Sequence, residues 1–382
     1  MTLDDIIARE FPRLQTSEMA WLNSASTGPM PERARRVAIE QVEKRMEPWR
    51  YGSVEQFEVL DRSRELCARL IGASPDEIAL MVNTTAGLNL AARALPFERG
   101  DVVVGTDRDF PANVYPWMAM AKDRGLEFRQ VPCRHGLFDE DALVAALDEP
   151  RVRALVVSWV SFESGVRLDL DRLGAECRRR GVTFVVDAMQ GLGPLTIDVR
   201  KTPIDILSCG AQKWLLGPWG TAFTWLRKDL VRQLEPANVG WMSVKGSDDF
   251  TQLVNYRLDY WDDARRFEVV TLPYQDFSLM NASLELIHEA GPAAIAARIA
   301  QLTNRLVQWA LERDDMRLVT PPDPLRRAGI VAIAPRDPVA ASTRLTAQGV
   351  GHSLREGAIR LSPHFFTPAG HVERALEVLG AG

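Results

Sequence analysis

The sequence predicts an α/β fold in which a largely parallel sheet is covered by helices on both faces. Between residues 78 and 187, short apolar runs alternate with helical segments, in the order strand, helix, strand, helix, strand. The runs are bounded by Gly and Pro, as buried strands commonly are. With 382 residues, 46% of them hydrophobic, the chain is long enough for a large core and two domains.

The first half of the chain supplies most of the predicted sheet. Helices are expected first, at 4–10, 32–46 and 54–70. Strands are expected at 78–82, 102–105, 126–131 and 154–158. Between and after these strands we expect helices that end at Leu95, cover 139–147 and cover 167–180. In such a sheet, ligands bind at the carboxyl ends of the strands.

The second half predicts a smaller α+β domain. Apolar residues recur at helical spacing from 279 to 313, across a break at Gly291-Pro292. Further elements are expected as a strand at 330–334, a helix at 339–347, strands within 352–362 and a helix at 368–379. We therefore divide the chain into domains at 15–255 and 256–382, with residues 1–14 packing on the second. Residues 235–275 are loop-rich and aromatic, and we favour interdomain packing over a substrate-pocket wall for them.

Composition excludes several classes of function. The net charge is −5 and no basic surface is indicated, which argues against nucleic-acid binding. The N-terminus has no long apolar core and no run of 18 apolar residues occurs, so we expect no signal peptide and no membrane span. Four scattered cysteines without a CxxC suit a reducing cytoplasm. The five histidines form no HExxH, so we expect no metal site.

A lysine set in apolar sequence carries the strongest chemical signal. One apolar run, 184–186, ends in Asp187, and a second, 204–209, leads to Lys213 in the motif Gln-Lys-Trp-Leu-Leu. A third run, 221–226, follows, and all three are expected as buried strands. Burial favours the neutral amine, which can form a Schiff base with an aldehyde. Pyridoxal phosphate (PLP) needs such a lysine and a carboxylate at its pyridine nitrogen. Spacing alone leaves open a lysine that reaches solvent and an aspartate that caps a turn.

Two other segments suit the same cofactor. Strand 78–82 runs into Asn83-Thr84-Thr85-Ala86-Gly87, where free backbone N–H groups, a helix dipole and two hydroxyls suit a phosphate. An ordinary helix cap is the alternative. Phe110, after the strand at 102–105, offers a flat ring for stacking on a cofactor, although the residues alone favour a core phenylalanine.

The pattern Asp-Ala-Met-Gln, followed by Gln-Lys-Trp-Leu-Leu-Gly-Pro-Trp-Gly, resembles the class V aminotransferase family of fold-type I PLP enzymes. That family includes cysteine desulfurases, selenocysteine lyases, kynureninases and isopenicillin N epimerase-like proteins. The resemblance implies a large domain with a seven-stranded sheet, and a homodimer that shares its active sites through Gly217–Gly220. It implies that Lys213 carries PLP, Asp187 pairs with the pyridine nitrogen and Gln190 contacts the ring hydroxyl. The implied further cofactor contacts are Thr84, Thr85, Ala86, Phe110 and Gln212.

The resemblance also implies an amino-acid substrate. Arg360, in Gly-Ala-Ile-Arg-Leu-Ser-Pro-His, corresponds to an arginine that binds the substrate α-carboxylate. Composition alone favours a surface arginine, and the resemblance reverses that preference. Ala25 and Ser26 fall on the loop that lines the substrate pocket. Two departures stand out: Phe162 replaces an Asn of desulfurases, and Gly210 replaces a phosphate-binding Ser.

We expect a PLP-dependent enzyme, with amino transfer as the first reaction, β-elimination or C–S lysis as the second and epimerisation as the third. Persulfide-forming desulfuration is not expected, because residues 346–357, ahead of Arg360, contain no cysteine. A PLP-retaining protein without activity is disfavoured by the complete set of Lys, Asp, Gln and Arg. A nucleotide-binding dehydrogenase is excluded because Gly191-Leu192-Gly193-Pro194 does not match G-x-G-x-x-G.

Overall fold

The structure is a computed structural model that describes residues 1–50 and 52–381. Its strands are β1 (Ala20–Trp21), β2 (Ile78–Met81), β3 (Val102–Thr106), β4 (Glu127–Val131), β5 (Val152–Ser158), β6 (Thr183–Asp187), β7 (Ile206–Gly210), β8 (Ala222–Leu226), β9 (Met316–Leu318), β10 (Val331–Pro335), β11 (Val350–Gly351), β12 (Ser353–Arg355) and β13 (Ala358–Leu361).

Its helices are α1 (Leu3–Glu10), α2 (Pro12–Gln15), α3 (Glu32–Met46), α4 (Ser53–Ile71), α5 (Thr84–Ala94), α6 (Tyr115–Arg124), α7 (Glu140–Ala146), α8 (Leu170–Arg180), α9 (Lys228–Gln233), α10 (Tyr274–Ala290), α11 (Pro292–Leu311), α12 (Pro338–Ala347) and α13 (Ala369–Gly380). None of those within the described residues is long and apolar enough to cross a membrane.

A seven-stranded sheet forms the centre of the molecule, in the order β2-β8-β7-β6-β5-β3-β4. Strands β3 to β7 pair in parallel, whereas β8 is antiparallel to both of its neighbours. It follows that β2 runs in the same direction as β7. The predicted largely parallel sheet is confirmed, and the reversed β8 is a feature that the apolar pattern alone did not reveal.

Both faces of this sheet are covered, which explains the continuous apolar runs in its strands. On β6, Phe184 and Val186 join one core cluster, and Val185 joins the cluster on the opposite face. A strand that is buried on both sides gains from apolar residues at every position. The carboxyl ends of β2, β5, β6 and β7 meet at one edge of the sheet, where the polar residues that follow them converge.

A second, four-stranded antiparallel sheet has the order β12-β13-β10-β9. Strand β1, near the N-terminus, pairs in parallel with β11. The ring of Phe11 lies 5.7 Å from that of Phe365 and 4.3 Å from that of Phe366, centroid to centroid. The division at residue 255, with 1–14 assigned to the second domain, stays a prediction.

Three helices, α2, α6 and α9, were not anticipated from the sequence, and α2 has only four residues. In α6, Trp117 and Met120 are buried but Met118 between them is exposed, so the apolar residues do not keep to one face. Helix α9 has only six residues, which is too few to show a helical period.

The loop-rich segment 235–275 is tied to the large sheet by one buried carboxylate. Glu268 accepts hydrogen bonds from Arg64 at 3.0 and 2.6 Å and from the backbone N–H of Leu80 in β2 at 2.9 Å. The side chains of Arg64 and Glu268 are 6% and 1% exposed. Phe267, next to Glu268, belongs to the apolar cluster on one face of the large sheet. This part of the segment therefore packs on the sheet and does not link two domains.

Replacing Glu268 with Ala is therefore expected to lower the free energy of unfolding by about 3–5 kcal/mol. The change leaves the Nε and Nη2 of a buried guanidinium and the Leu80 N–H without their acceptor, and Arg64 keeps only its Nη1 bond to the exposed Asp61.

Glu285→Ala is the matched control: it removes a partner from Arg62 in a pair whose side chains are about half exposed. That loss is expected to stay below about 1 kcal/mol. Denaturant unfolding of both variants measures the difference, and equal losses would contradict the anchoring role.

Candidate active site

Polar side chains from four strand ends line one cavity of about 190 Å³ at the carboxyl edge of the large sheet. Seven of the predicted site residues take part: Thr84, Thr85, Phe110, Asp187, Gln190, Gln212 and Lys213. The other lining residues are Asn83, Ala112, Ser158, Phe162 and Met189. The fold thus brings together segments that lie up to 130 positions apart in the sequence, from Asn83 to Lys213.

Lys213 is held in a tight turn after β7. The backbone N–H of Gly28 donates to the carbonyl of Gln212 at 3.0 Å. A Cβ at Gly28 would lie 2.1 Å from the carbonyl oxygen of Lys213, so only glycine allows this approach. Burial lowers the pKa of the Lys213 amine to about 8, although the charge of Asp187 acts in the opposite direction.

Asp187 ends β6 with its carboxyl group buried in the cavity wall. Burial raises the pKa of Asp187 to about 7, against the lowering effect of a 2.8 Å hydrogen bond from the backbone N–H of Met189. The nearby charge of Asp109 raises this pKa further, whereas Lys213 lowers it. A cationic ring nitrogen beside Asp187 would compensate its buried charge.

Asp109 is a functional-site residue that sequence reasoning missed. It accepts hydrogen bonds from the backbone N–H of Ser158 at 2.9 Å, the Ser158 hydroxyl at 2.5 Å, and Asn113 at 3.0 Å. It also accepts from the backbone N–H of Phe110 at 2.7 Å. The signal in the sequence was an aspartate between a strand end and Phe110-Pro111, where a carboxylate can organise the turn.

This turn places the Phe110 ring at the cavity and not in the core. Phe110 is 42% exposed, and the centroid of its ring lies 5.6 Å from the Lys213 Nζ and 5.3 Å from the centroid of the Phe162 ring. The structure therefore favours the predicted cofactor-facing position of Phe110 over the core position.

Gln190 is engaged on both sides of its amide. Its Nε2 donates to the carbonyl of Ala25 at 3.0 Å, and its Oε1 accepts from the indole N–H of Trp214 at 2.8 Å. One N–H of Nε2 remains for a ligand. Gln190 thus joins the entry loop to the residue after Lys213, and Ala25 takes part through its backbone and lies beside the cavity.

Helix α5 begins at the cavity with Thr84. Asn83 caps the helix by accepting from the backbone N–H of Ala86 at 2.8 Å, so this N–H is used within the protein. Ala86 lines an adjacent groove and not the 190 Å³ cavity. The predicted cofactor contact of Ala86 stays a prediction.

Arg360 is a buried cation without an anionic partner among the described residues. Its Nη1 donates to the carbonyl of Phe162 and its Nη2 to the hydroxyl of Ser26, both at 2.7 Å. Its buried Nε has no acceptor. Burial, with help from the charge of Arg355, lowers the pKa of Arg360 to about 10. A buried, unpaired guanidinium is costly, and an anionic ligand would relieve that cost.

The family model of the class V aminotransferases matches residues 22–362. The chain belongs to the class V aminotransferase family. Isopenicillin N epimerase from Streptomyces clavuligerus is 30% identical over 375 residues, which cover 94% of each chain. A probable cysteine desulfurase from Methanothermobacter thermautotrophicus is 29% identical, over 78% of this chain and 74% of the relative.

A solved mutant of C-DES, which has glycine covalently linked to its PLP cofactor, shares the fold of this class V aminotransferase family member. Its TM-score is 0.89 at 22% identity, with 97% of this chain and 98% of that chain covered. The predicted family and fold class are thereby confirmed, as is PLP, the cofactor on which the family depends.

The cavity of this family member fits PLP on three independent features. Lys213 offers an amine that is largely neutral above about pH 8, and Asp187 offers a buried carboxylate. At Gly210, a Cβ would lie 2.7 Å from the Gln212 Oε1 and 3.1 Å from the Thr84 Oγ1. Only the absence of a side chain at Gly210 lets the Gln212 amide and the Thr84 hydroxyl lie this close to the end of β7, and Thr84 begins α5, whose N-terminus favours a phosphate.

A buried histidine has a structural role beside the site, and the cysteine thiols are unreactive at neutral pH. His364 is buried, and burial lowers its pKa to about 3, so its ring is neutral and bonds the carbonyl of Trp214 at 3.1 Å. Burial raises the pKa of the Cys133 thiol to about 12, and that of Cys209 lies well above its usual range. Neither is a thiolate at neutral pH.

In the apoprotein, the capture of a small aldehyde by Lys213 is expected to rise through about pH 8, because only the neutral amine attacks the carbonyl. Lys245 is the internal control: its hydrogen bond to Asp262 raises its pKa, so its labelling rises at a higher pH. Borohydride reduction and peptide mass mapping across pH measure both profiles.

In the same experiment, Asp187→Asn removes a charge that raises the Lys213 pKa and is expected to move the Lys213 midpoint to lower pH. A midpoint near that of an ordinary lysine, or one that moves upward in the variant, would contradict the described electrostatics.

Proposed function

We propose that this enzyme acts at the α-carbon of an amino acid, with amino transfer as its reaction. The observation that carries the proposal is that the site contains both a buried amine, Lys213, and a buried guanidinium without a counter-ion, Arg360. The carbonyl of Phe162, a cavity residue, links the guanidinium to the cavity. An α-amino acid supplies a carboxylate for Arg360 and an amino group to be carried to the cofactor.

Each site residue has a distinct part in this proposal. Lys213 would hold PLP through Nζ, and its amine would take the proton from the substrate Cα and deliver it to the cofactor instead of returning it to Cα. Asp187 holds a proton on the pyridine nitrogen through its negative charge. Bound PLP supplies an electron-accepting ring that stores the charge left at Cα. Thr84, Thr85 and Gln212 contact the cofactor, and Ser26 orients Arg360.

The small number of proton-carrying side chains in the cavity favours amino transfer over epimerisation by two bases, which needs a second proton carrier on the other side of the substrate Cα. Among the described residues that line it, Lys213 and Asp187 are the only titratable groups. Phe110 and Phe162 supply aromatic surface and no proton carrier. Epimerisation is the second candidate, because the 30% identical relative from Streptomyces clavuligerus is an isopenicillin N epimerase.

Persulfide-forming desulfuration lacks its nucleophile here. That chemistry requires a reactive thiolate that reaches the substrate sulfur. The pKa values of all four cysteines are raised, by burial in each case. The four thiols are free, which suits a reducing compartment, and we propose a cytoplasmic location.

The test is a product screen of the PLP-loaded enzyme with single L-amino acids and a keto-acid acceptor. Amino transfer predicts equimolar keto acid from the donor and amino acid from the acceptor. Lys213→Ala should fold with an unchanged melting temperature but form no product. A D-amino acid would instead support epimerisation, and ammonia with a keto acid, without acceptor turnover, would support elimination. A 32 Da adduct on one cysteine that is lost along with activity in its Ala variant would establish desulfuration.

We further propose a homodimer with a shared active site. A groove of about 1060 Å³ opens beside the cavity and includes Asn83, Thr85 and Ala86. Next to it, segment 239–258 exposes a group of large apolar side chains: Val239, Trp241, Phe250, Leu253, Val254, Tyr256 and Leu258. Such a patch on a chain of this size is typical of an interface, and a second copy that covers it would reach the cofactor's phosphate end.

Sedimentation of the purified protein is expected to give twice the chain mass of 42.7 kDa at micromolar concentration. Val254→Asp, at a residue that is 80% exposed, should shift the distribution toward the monomer, because a charge would be buried in the interface. Val339→Asp, at a residue that is 65% exposed on α12, is the matched control and should leave the dimer intact. A monomeric wild type would contradict the proposal.

A further inference from the structure

The strand that faces Arg360 carries a second arginine at the tip of a tight hairpin. Strands β12 and β13 pair Ser353 with Arg360 and Arg355 with Ala358. The two-residue loop between them, Glu356-Gly357, has positive φ at both positions, 45° and 77°. This is the geometry of a type I′ turn, which fixes the register of the hairpin. The position of Arg355 relative to Arg360 is therefore set by the backbone.

Arg355 lies on the face of the hairpin that is turned toward the active site. Side chains alternate along a strand, so Ser353 and Arg355 share one face with their partners Ala358 and Arg360. The opposite face, with Leu354 and Ile359, belongs to an apolar core. On the shared face, the Ser353 hydroxyl lies 3.5 Å from the Arg360 Nη2. Arg355 begins two residues, or about 7 Å, further along the strand.

Arg108, Glu163 and Glu356, near the hairpin, form ion pairs, whereas Arg355 does not. Arg108, two residues before Phe110, donates to both carboxylate oxygens of Glu163 at 3.0 and 2.7 Å. It also contacts Glu356 of the hairpin tip at 3.4 Å. Arg355 is exposed, and its one hydrogen bond within the described chain goes from Nη1 to the carbonyl of Leu354 at 2.9 Å. It forms no ion pair with any described residue.

The exposed guanidinium also acts on the site itself. The charge of Arg355 lowers the pKa of both Lys213 and Arg360, as expected for a cation on the cavity side of the hairpin. A free guanidinium next to a carboxylate-binding arginine suits a ligand with two separated anionic groups, since it can bind carboxylate or phosphate oxygens through two N–H groups.

We propose that Arg355 binds a second anionic group on the side chain of the substrate, so that the enzyme prefers acidic or phosphorylated amino acids over their neutral counterparts. The proposal rests on the proposed function, in which Arg360 binds the α-carboxylate. It assigns selectivity to Arg355 and no part in the chemistry at Cα.

The experiment measures dissociation constants for matched probes with the PLP-loaded enzyme, by titrating the cofactor's absorbance. The pairs are L-glutamate with L-glutamine and O-phospho-L-serine with L-serine, which separate a carboxylate from a phosphate as the second anion. We expect the charged member of at least one pair to bind about fivefold more tightly, within the range for a solvent-exposed ion pair. In Arg355→Gln this ratio should fall to about one, and the affinity for the neutral member should change less than twofold.

Two further variants make the result specific. Arg355→Lys keeps the charge without the planar fork and should retain part of the preference. Arg317→Gln is the matched control, because Arg317 is an exposed arginine of β9, without an ion pair among the described residues, at the far edge of the same sheet. It should leave every ratio unchanged.

The outcomes separate the two proposals. A wild type without preference in either pair, or a preference that survives Arg355→Gln, would overturn the role of Arg355. Arg360→Ala should weaken all four probes by about tenfold or more, because each loses its α-carboxylate partner. If the probes bind Arg360→Ala as they bind the wild type, the carboxylate site of the proposed function is wrong, whatever the ratios show.

Discussion

The structure depends on the cost of keeping three ionisable groups buried around one small cavity. Water would solvate Lys213, Asp187 and Arg360 far better than the protein interior does, and the shifted pKa values of all three record that cost. Such groups persist only where the surrounding structure holds them in place. Lys213 and Asp187 are close enough to offset each other in part, whereas Arg360 has only neutral partners. The buried charge of Arg360 thus lacks a counter-ion within the protein. An anionic ligand that supplies one would gain binding free energy from the interaction.

Neutral hydrogen bonds and close packing supply the rigidity that these charges need. Gly28 packs against the turn that carries Lys213, Gln190 bridges the entry loop to Trp214, and Asp109 fixes the turn before Phe110. The contacts of Gly28 and Gln190 join segments far apart in the chain, and Asp109 does the same through its bonds to Ser158. The large sheet makes this possible, because β2, β5, β6 and β7 deliver their following residues to the same edge. A displacement of the Lys213 turn would therefore require several segments to move together.

The sequence was sufficient for the parts of the structure that have a local pattern. Apolar runs with Gly or Pro boundaries predicted β2 to β8, and the resemblance of the motifs around Asp187 and Lys213 to the class V aminotransferase family implied the residues that meet in the cavity. Relations between distant segments left no local trace. The antiparallel direction of β8, the role of Asp109 and the double engagement of Gln190 all depend on which residues tertiary packing brings near. Helix α6 was not predicted because its apolar residues do not keep to one face: Met118 is exposed, whereas Trp117 and Met120 are buried.

The family determines the cofactor and the fold, but it leaves the reaction to the surroundings of Lys213. Relatives of similar identity are named as an epimerase and as desulfurases, so the shared lysine and aspartate cannot by themselves select among these outcomes. In this chain the surroundings of the site include Phe162 beside Phe110, thiols that remain protonated, and an unpaired arginine on the hairpin next to Arg360. In the proposed function, Phe110 and Phe162 offer no second proton carrier near the single amine, and in the proposed selectivity Arg355 binds the substrate side chain. In both proposals, selectivity and reaction type depend on residues outside the motifs around Asp187 and Lys213, so they follow from the tertiary arrangement of the site.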